Sequence, residues 1–218
     1  TLQGNLARWT SRQCGGVLKV EVRERGRRER IVIEEYGGVL PHAEAFYICS
    51  IIYAAEAAFV SFARYQSECE RGVDQAAAAS AIQESLTHAA ALSRFFWPSS
   101  KSKLAQARAT HLRRAFKLAD DSPLASRKLR NALERYDERL DEFLLDDPVG
   151  MILPDPIIAD ADMTNDPSGH VFKLLDPWNG IFVVLGQRFT FEPIIEEVGR
   201  ILDSAYELDR GGGRTRAV

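Results

Sequence analysis

Of the four histidines in this sequence, His111 alone stands among cations, with Arg108 one helical turn before it and Arg113 and Arg114 just after. An imidazole can pass a proton near neutral pH and guanidinium groups attract phosphate, so the grouping suits binding of, or acid–base chemistry on, a phosphate-bearing ligand. His88 lies between Leu86 and Leu92 and reads as a packed residue, while His42 and His170 fall at element starts where capping or surface roles are common. The grouping belongs to a longer basic stretch: residues 101–139 hold eleven basic and five acidic side chains, whereas residues 140–209 hold fifteen acids and only Lys173, Arg188 and Arg200. A basic middle fits a polyanion that the acidic end would repel. The alternative is that the two halves pair with each other across the fold.

Other constellations point to less. Asp160, Asp162 and Asp166 open like a calcium loop, but Thr164 and Asn165 stand where a third acid and a glycine are needed, and no Glu takes the twelfth position. A solvated acidic loop is the better account. Gly211, Gly212 and Gly213 follow a helical pattern and so form no phosphate loop. Phe95, Phe96 and Trp97 read as core at a helix end more readily than as a base-stacking platform. Cys14, Cys49 and Cys69 form no Cys-x-x-Cys pair, which argues against structural zinc and suits reduced thiols in a cytoplasmic compartment. Neither a metal nor a cofactor is expected.

The elements that must position these residues are mostly helices. Residues 18–24 alternate in polarity and Ile31, Ile33 and Tyr36 continue the pattern, which predicts a β-hairpin turning at Gly26. Gly37 and Gly38 break the chain, and Pro41 opens a heavily apolar helix over residues 43–71, predicted to be the most buried of all. A second helix spans residues 73–97 up to Pro98, and a third residues 103–118. Ser122 and Pro123 then cap and start a fourth, running to residue 145 with Leu129, Leu133, Tyr136, Leu140 and Phe143 as its buried stripe. Prolines at 148, 154, 156 and 167 describe an irregular segment. A second hairpin follows, with strands at 171–175 and 181–191, then a last helix over residues 191–208 and a Gly-rich tail expected to be disordered.

The stretch that begins at Ser126 and carries Arg127, Arg130, Asn131, Glu134 and Arg135 resembles the signature of the HEPN superfamily. In that family an arginine followed by a polar residue, often Asn, is separated by four to six residues from a histidine. Arg130 and Asn131 match the start, while the permitted histidine positions hold Arg135, Tyr136 and Asp137. The resemblance covers residues 41–145 at most. It implies a helical bundle, dimerisation that brings two motifs face to face, and metal-independent RNA cleavage in a bacterial toxin or defence setting. On that basis Arg130, Asn131 and His111 are the candidate catalytic residues, and Arg127, Arg130, Arg135, Arg108 and Arg114 the candidate phosphate binders. Arginine stays protonated at any physiological pH, so Arg135 cannot replace an imidazole as base. Read without the family, Arg130 and Glu134 are an i,i+4 ion pair on a solvated helix face.

These readings give a mainly α (α+β) protein. An N-terminal hairpin segment occupies residues 1–40, and an antiparallel four-helix bundle residues 41–147. The irregular segment, hairpin and fifth, C-terminal helix occupy residues 148–209, and the tail residues 210–218. No apolar run reaches the roughly 18 residues of a membrane span without a polar interruption, since Ser50 and Glu56 fall within residues 46–60. The amino terminus lacks the order of a signal peptide. An RNA- or nucleotide-binding protein with a degenerate ribonuclease site is one functional expectation. A non-catalytic helical scaffold or dimerisation protein is the other. A homodimer is expected from the family's composite site and from the apolar hairpin at 181–191, which could cover a partner.

Overall fold

The computed structural model describes residues 22–72, 74–146, 151–165 and 169–215. It is mainly helical, with 69% helix and small β-sheets. Among the described residues the helices are α1 (Val22–Tyr36), α2 (Glu44–Arg71), α3 (Gln75–Phe96), α4 (Lys103–Ala115), α5 (Arg127–Glu134), α6 (Tyr136–Asp146) and α7 (Glu192–Arg210).

Helix starts follow local chemistry. Asp74 accepts from the Ala77 N–H at 3.0 Å to begin α3, and Ser102 accepts from Ala105 at 3.2 Å to begin α4. These side chains satisfy donors that a helix start leaves open. Helices α2 and α3 run antiparallel across the short turn at Gly72, and Ser85 Oγ, fully buried in α3, donates to the Ala58 carbonyl of α2 at 2.8 Å. Helix α7 lies along α2, while α4 and α5 pack on α3. Ile51, Ala55 and Ala58 of α2, Ile82, Leu86, Leu92 and Phe96 of α3, and Val198 and Ile201 of α7 share one core.

The predicted N-terminal hairpin is not formed. Residues 18–21 lie outside the described residues, and Ile31, Ile33 and Tyr36 belong to α1. The alternation concealed helical pairing: Glu24 meets Arg27 at 3.0 Å and Arg28 at 2.8 Å, three and four positions away. Those bonds hold the Glu24 carboxyl at about 2. Helix α1 rests on α4, where Gly38, at φ +96°, brings its backbone so close that a Cβ would sit 2.3 Å from the Arg108 nitrogen.

The predicted fourth helix is divided. A short 3-10 turn, Pro123–Ala125, precedes α5, whose N-cap is Ser126, and the helix breaks at Arg135 (φ −116°, ψ 40°). No proline or glycine causes the break; the contacts beyond it do. Tyr136 turns under the Lys173 ammonium, 5.0 Å from the ring centre, and Phe143 packs edge-on against His170 and Phe172, so α6 follows the sheet while α5 stays on α3. Leu129 is buried, whereas Leu133, Tyr136, Leu140 and Phe143 are only half-buried.

The second hairpin enlarges into a four-stranded sheet. Its strands are β2 (Ile157–Ile158), β4 (Lys173–Asp176), β5 (Ile181–Val184) and β6 (Gln187–Thr190), in that spatial order. Separately, β1 (Met151–Leu153) pairs in parallel with β3 (Gly169–Val171). The long strand predicted at 181–191 turns back at Leu185 and Gly186, whose φ values of +46° and +73° fit a two-residue hairpin turn. Phe182, Val183, Val184 and Phe189 are buried within the chain, so these side chains of the hairpin belong to its own core.

Helix α2 with its preceding turn, Pro41–Arg71, is long and apolar enough to span a bilayer by length and composition, exceeding the run read from the sequence. It is also less buried than predicted: one face lies in the core and the opposite face carries exposed Phe46, Tyr53 and Val60.

One buried carboxylate holds the sheet's turn. Asp176 is fully buried, and its oxygens accept from the backbone N–H groups of Ala161, Trp178 and Asn179 and from the Asn179 amide, all at 2.9–3.1 Å. Burial pushes this carboxyl up, but the Asn179, Ala161 and Trp178 bonds outweigh it and hold the group below the ordinary carboxylate range. A folded pKa below the unfolded one gives stability that is present above the ordinary range and lost as pH falls through it. Asp176→Ala should therefore lower unfolding free energy by about 2 to 4 kcal/mol at pH 7, because several buried donors lose their acceptor. Urea denaturation at pH 3 to 7 should show a shallower acid slope for the variant, and an unchanged midpoint and slope would contradict this account.

Candidate functional site

The HEPN-like stretch begins at α5, and its position is set by the end of α3. Pro98 follows that helix and has no N–H to offer, so the last α3 carbonyls need donors from elsewhere. Three arginines supply them. Arg108 Nη2 reaches the Arg94 carbonyl at 3.4 Å, Arg113 Nη1 the Phe96 carbonyl at 2.6 Å, and Arg130 Nη1 the Trp97 carbonyl at 2.9 Å. Positive charge at a helix C-terminus also opposes the macrodipole favourably.

Arg130 is only 3% exposed. Burial pushes its guanidinium down from the ordinary value, with Glu134 acting the other way, yet arginine's reserve of basicity keeps it charged. Glu134 is drawn into an ion pair with Arg94 of α3 rather than with Arg130 along its own helix. The expected i,i+4 pair is thus replaced by two links between α5 and the end of α3. Asn131, one residue on, is exposed.

His111 lies in a different neighbourhood. Its Nε2 is 2.8 Å from Thr215 Oγ1, and the Thr215 N–H donates to Glu44 Oε2, also at 2.8 Å. Thr215 and Glu44 are buried, and Gly37 packs against the imidazole Nδ1 edge. Burial pushes His111 below its ordinary value, which Glu44 partly offsets and Arg114 reinforces. The predicted disordered tail is corrected here: residues 211–215 dock, with Arg214 Nη1 donating to the Pro41 carbonyl at 2.9 Å. Residues 216–218 lie outside the described part. A cavity of about 370 Å³ opens beside the imidazole, lined by Gly37, Gln106, Thr110 and Arg114.

The remaining candidates divide by exposure. Arg108 is half-buried, its guanidinium carbon 5.8 Å from the Tyr47 ring centre. Arg114 and Arg127 are exposed; Arg135 is exposed at the helix break and pairs with Glu138 at 3.4 Å. Arg130 and His111 have no partner in common: one serves Trp97, the other Thr215. Glu44, Thr215 and the α3 carbonyls escaped the sequence reading, which took Arg113 only as a cation beside His111. Only the proline after an α3 rich in buried positions signalled that cations would be needed there.

The acidic segment is held by its own arginine. Arg188 donates to Asp162 at 3.1 Å, to the Ala161 carbonyl at 2.6 Å, to Thr164 at 2.9 Å and to Asn165 at 2.8 Å. Asp166, the third acid of the calcium-like run, lies outside the described residues. Among the described residues no group of three or more His, Cys, Asp or Glu side chains is placed to hold a metal. Nor does any ion pair among them join the basic 101–139 segment to the acidic 140–209 segment, so the idea that the halves neutralise each other finds no support there.

Comparison with protein-family models, with curated proteins and with solved structures finds no match to this chain.

The geometry separates two neighbours in the motif. Arg130→Ala removes a buried charged donor and should destabilise by about 1.5 to 3 kcal/mol, whereas exposed Asn131→Ala should change stability by less than about 0.5 kcal/mol. Chemical denaturation of both variants checks this; equal effects would mean that Arg130 does not hold the end of α3.

Proposed function

We propose that this chain is a HEPN-like helical protein that binds RNA or a nucleotide without cutting it. In this reading α2, α3, α4 and the α5–α6 pair form the antiparallel four-helix bundle of the resemblance, and the protein works in the cytoplasm. The observation that carries the non-catalytic part is the burial of Arg130 on the Trp97 carbonyl. Cleavage of RNA by its own 2′-hydroxyl needs a base for that hydroxyl, an acid for the leaving 5′-oxygen and a cation on the phosphorane. Here the motif's arginine is occupied, the imidazole is bonded to Thr215, and Arg135 stays protonated near neutral pH and cannot serve as the base.

Support for binding comes from the cations that are left. Arg114, Lys117, Arg127 and Lys128 are exposed and have no ion pair among the described residues. Contacts of this kind neutralise phosphates and release counterions, so affinity falls steeply as salt rises.

Fluorescence anisotropy with a single-stranded RNA at several salt concentrations tests the reading. Binding should weaken linearly in log–log form, and Arg127→Glu with Lys128→Glu should weaken it at least tenfold with the thermal midpoint preserved. No cleavage should appear in EDTA. Failure to bind at low salt would transfer the chain to the second reading, a helical scaffold or dimerisation protein, which the exposed apolar face of α2 favours. Cleavage in EDTA, whether or not it survives His111→Ala, would overturn the non-catalytic assignment.

A further inference from the structure

The turn between β4 and β5 holds an indole in the open. Trp178 is 73% exposed, yet its backbone is fixed, because the buried Asp176 carboxylate accepts the Trp178 N–H at 3.1 Å and the Asn179 N–H at 3.0 Å. The ring borders a cavity of about 390 Å³ between the sheet, the end of α2 and the start of α3, lined by Glu68, Cys69, Asp74, Gln75, Pro177 and Trp178. Clefts of this size take small ligands. A rigid turn presents the indole in one place before any ligand arrives, which lowers the cost of binding.

The charge of the lining is one-sided. Glu68 and Asp74 are carboxylates, and among the described residues no basic side chain lines the cavity. Asp74 caps α3 through Oδ1 and makes no ion pair among the described residues. Glu68 meets the exposed Arg71 at 3.5 Å, long for a charge-assisted bond, so a better-placed cation can displace that contact. Gly72, the left-handed cap of α2, also lines the cavity, and the negative pole of that helix adds to the carboxylates. Tyr65, one turn before Cys69, registers the same field: burial pushes its hydroxyl up, and Cys69, Glu192 and Asp176 add to the rise.

We propose that this cavity binds a guanidinium group, the flat cation stacked on the Trp178 indole with its N–H donors directed to Glu68 and Asp74. An aromatic face beside carboxylates takes a cation and repels an anion. Gln75 Oε1 is already engaged by the Ile158 N–H at 3.3 Å, so the two carboxylates are the side-chain acceptors left. They call for several donors in one plane, which a guanidinium has and a quaternary ammonium lacks. Weak hydration also lets a guanidinium settle against the apolar wall of Pro177 and Ile158 more readily than a primary ammonium does. The group can belong to a free alkylguanidine or to an arginine of a peptide, which share this chemistry. The inference does not depend on RNA binding, which uses groups of the opposite sign.

Isothermal titration of the full chain with butylguanidinium at low salt tests the proposal, with butylurea as a neutral probe of the same shape. Butylguanidinium should bind at one site with a Kd of about 1 mM, and butylurea at least about tenfold more weakly. Trp178→Ala should weaken butylguanidinium by roughly tenfold, and so should Glu68→Gln combined with Asp74→Asn, with far-UV circular dichroism unchanged because asparagine keeps the helix cap. Location is read at Cys69 in a Cys14→Ser, Cys49→Ser background, where the ligand should slow alkylation by iodoacetamide. Absence of binding, equal binding of butylurea, variants that bind as the natural chain does, or a Cys69 left unprotected at saturation would each overturn the proposal. An acetylated Gly-Arg-Gly amide separates the two sources. Tighter binding than butylguanidinium assigns the cavity to an arginine of a partner, and equal or weaker binding assigns it to a free alkylguanidine.

Discussion

The carbonyl end of α3 is the point on which the surrounding helices depend. Helix α3 contributes Ile82, Leu86, Leu92 and Phe96 to the core and touches α2, α4, α5, α7 and the sheet. Its chain stops at Pro98, and the carbonyls of Arg94, Phe96 and Trp97 would be costly to leave without donors. Two guanidinium groups from α4 and one from α5 meet that need, and in doing so tie both helices to α3. The Arg94–Glu134 pair closes the same corner from the other direction.

This arrangement has a chemical consequence. A guanidinium bonded to a buried carbonyl keeps its charge but cannot also be presented to a phosphate. The cations open to a ligand are therefore the ones that take no part in the fold, such as Arg127 and Lys128 at the start of α5. His111 is likewise drawn into structure: its bond to Thr215, and Thr215's bond to Glu44, fasten the C-terminal residues over the α1–α2 turn. The acidic end follows the same logic, since Arg188 gathers Asp162, Thr164 and Asn165 into one short turn.

The helices were legible where the local signals were complete. Ser102 caps the helix that the sequence places from residue 103, Pro98 ends α3 as predicted, and Asp74, read as part of the second helix, is its N-cap. Patterns with two readings were harder. The alternation at residues 18–24 follows a strand period, yet Glu24 also lies three and four positions from Arg27 and Arg28, and from Val22 on the described chain is helix. The stripe from Leu129 to Phe143 is continuous in sequence, but Tyr136 and Phe143 answer to the sheet, contacts that no local window contains. For the candidate site, the motif residues and the histidine were visible, whereas their burial was not. Whether Arg130 faces solvent or the end of α3 depends on how α5 docks, and the arginine's type is equally suited to phosphate and to a helix C-terminus.

Nitrogen-detected NMR of the arginine side chains tests the central claim, that Arg130 is a structural clamp, most directly. With the guanidinium buried on the Trp97 carbonyl, its side-chain protons should exchange slowly with water and its resonances should stay in place when RNA is added, while those of Arg127 move. Fast exchange at Arg130 together with a shift on addition of RNA would contradict the account and return Arg130 to the ligand.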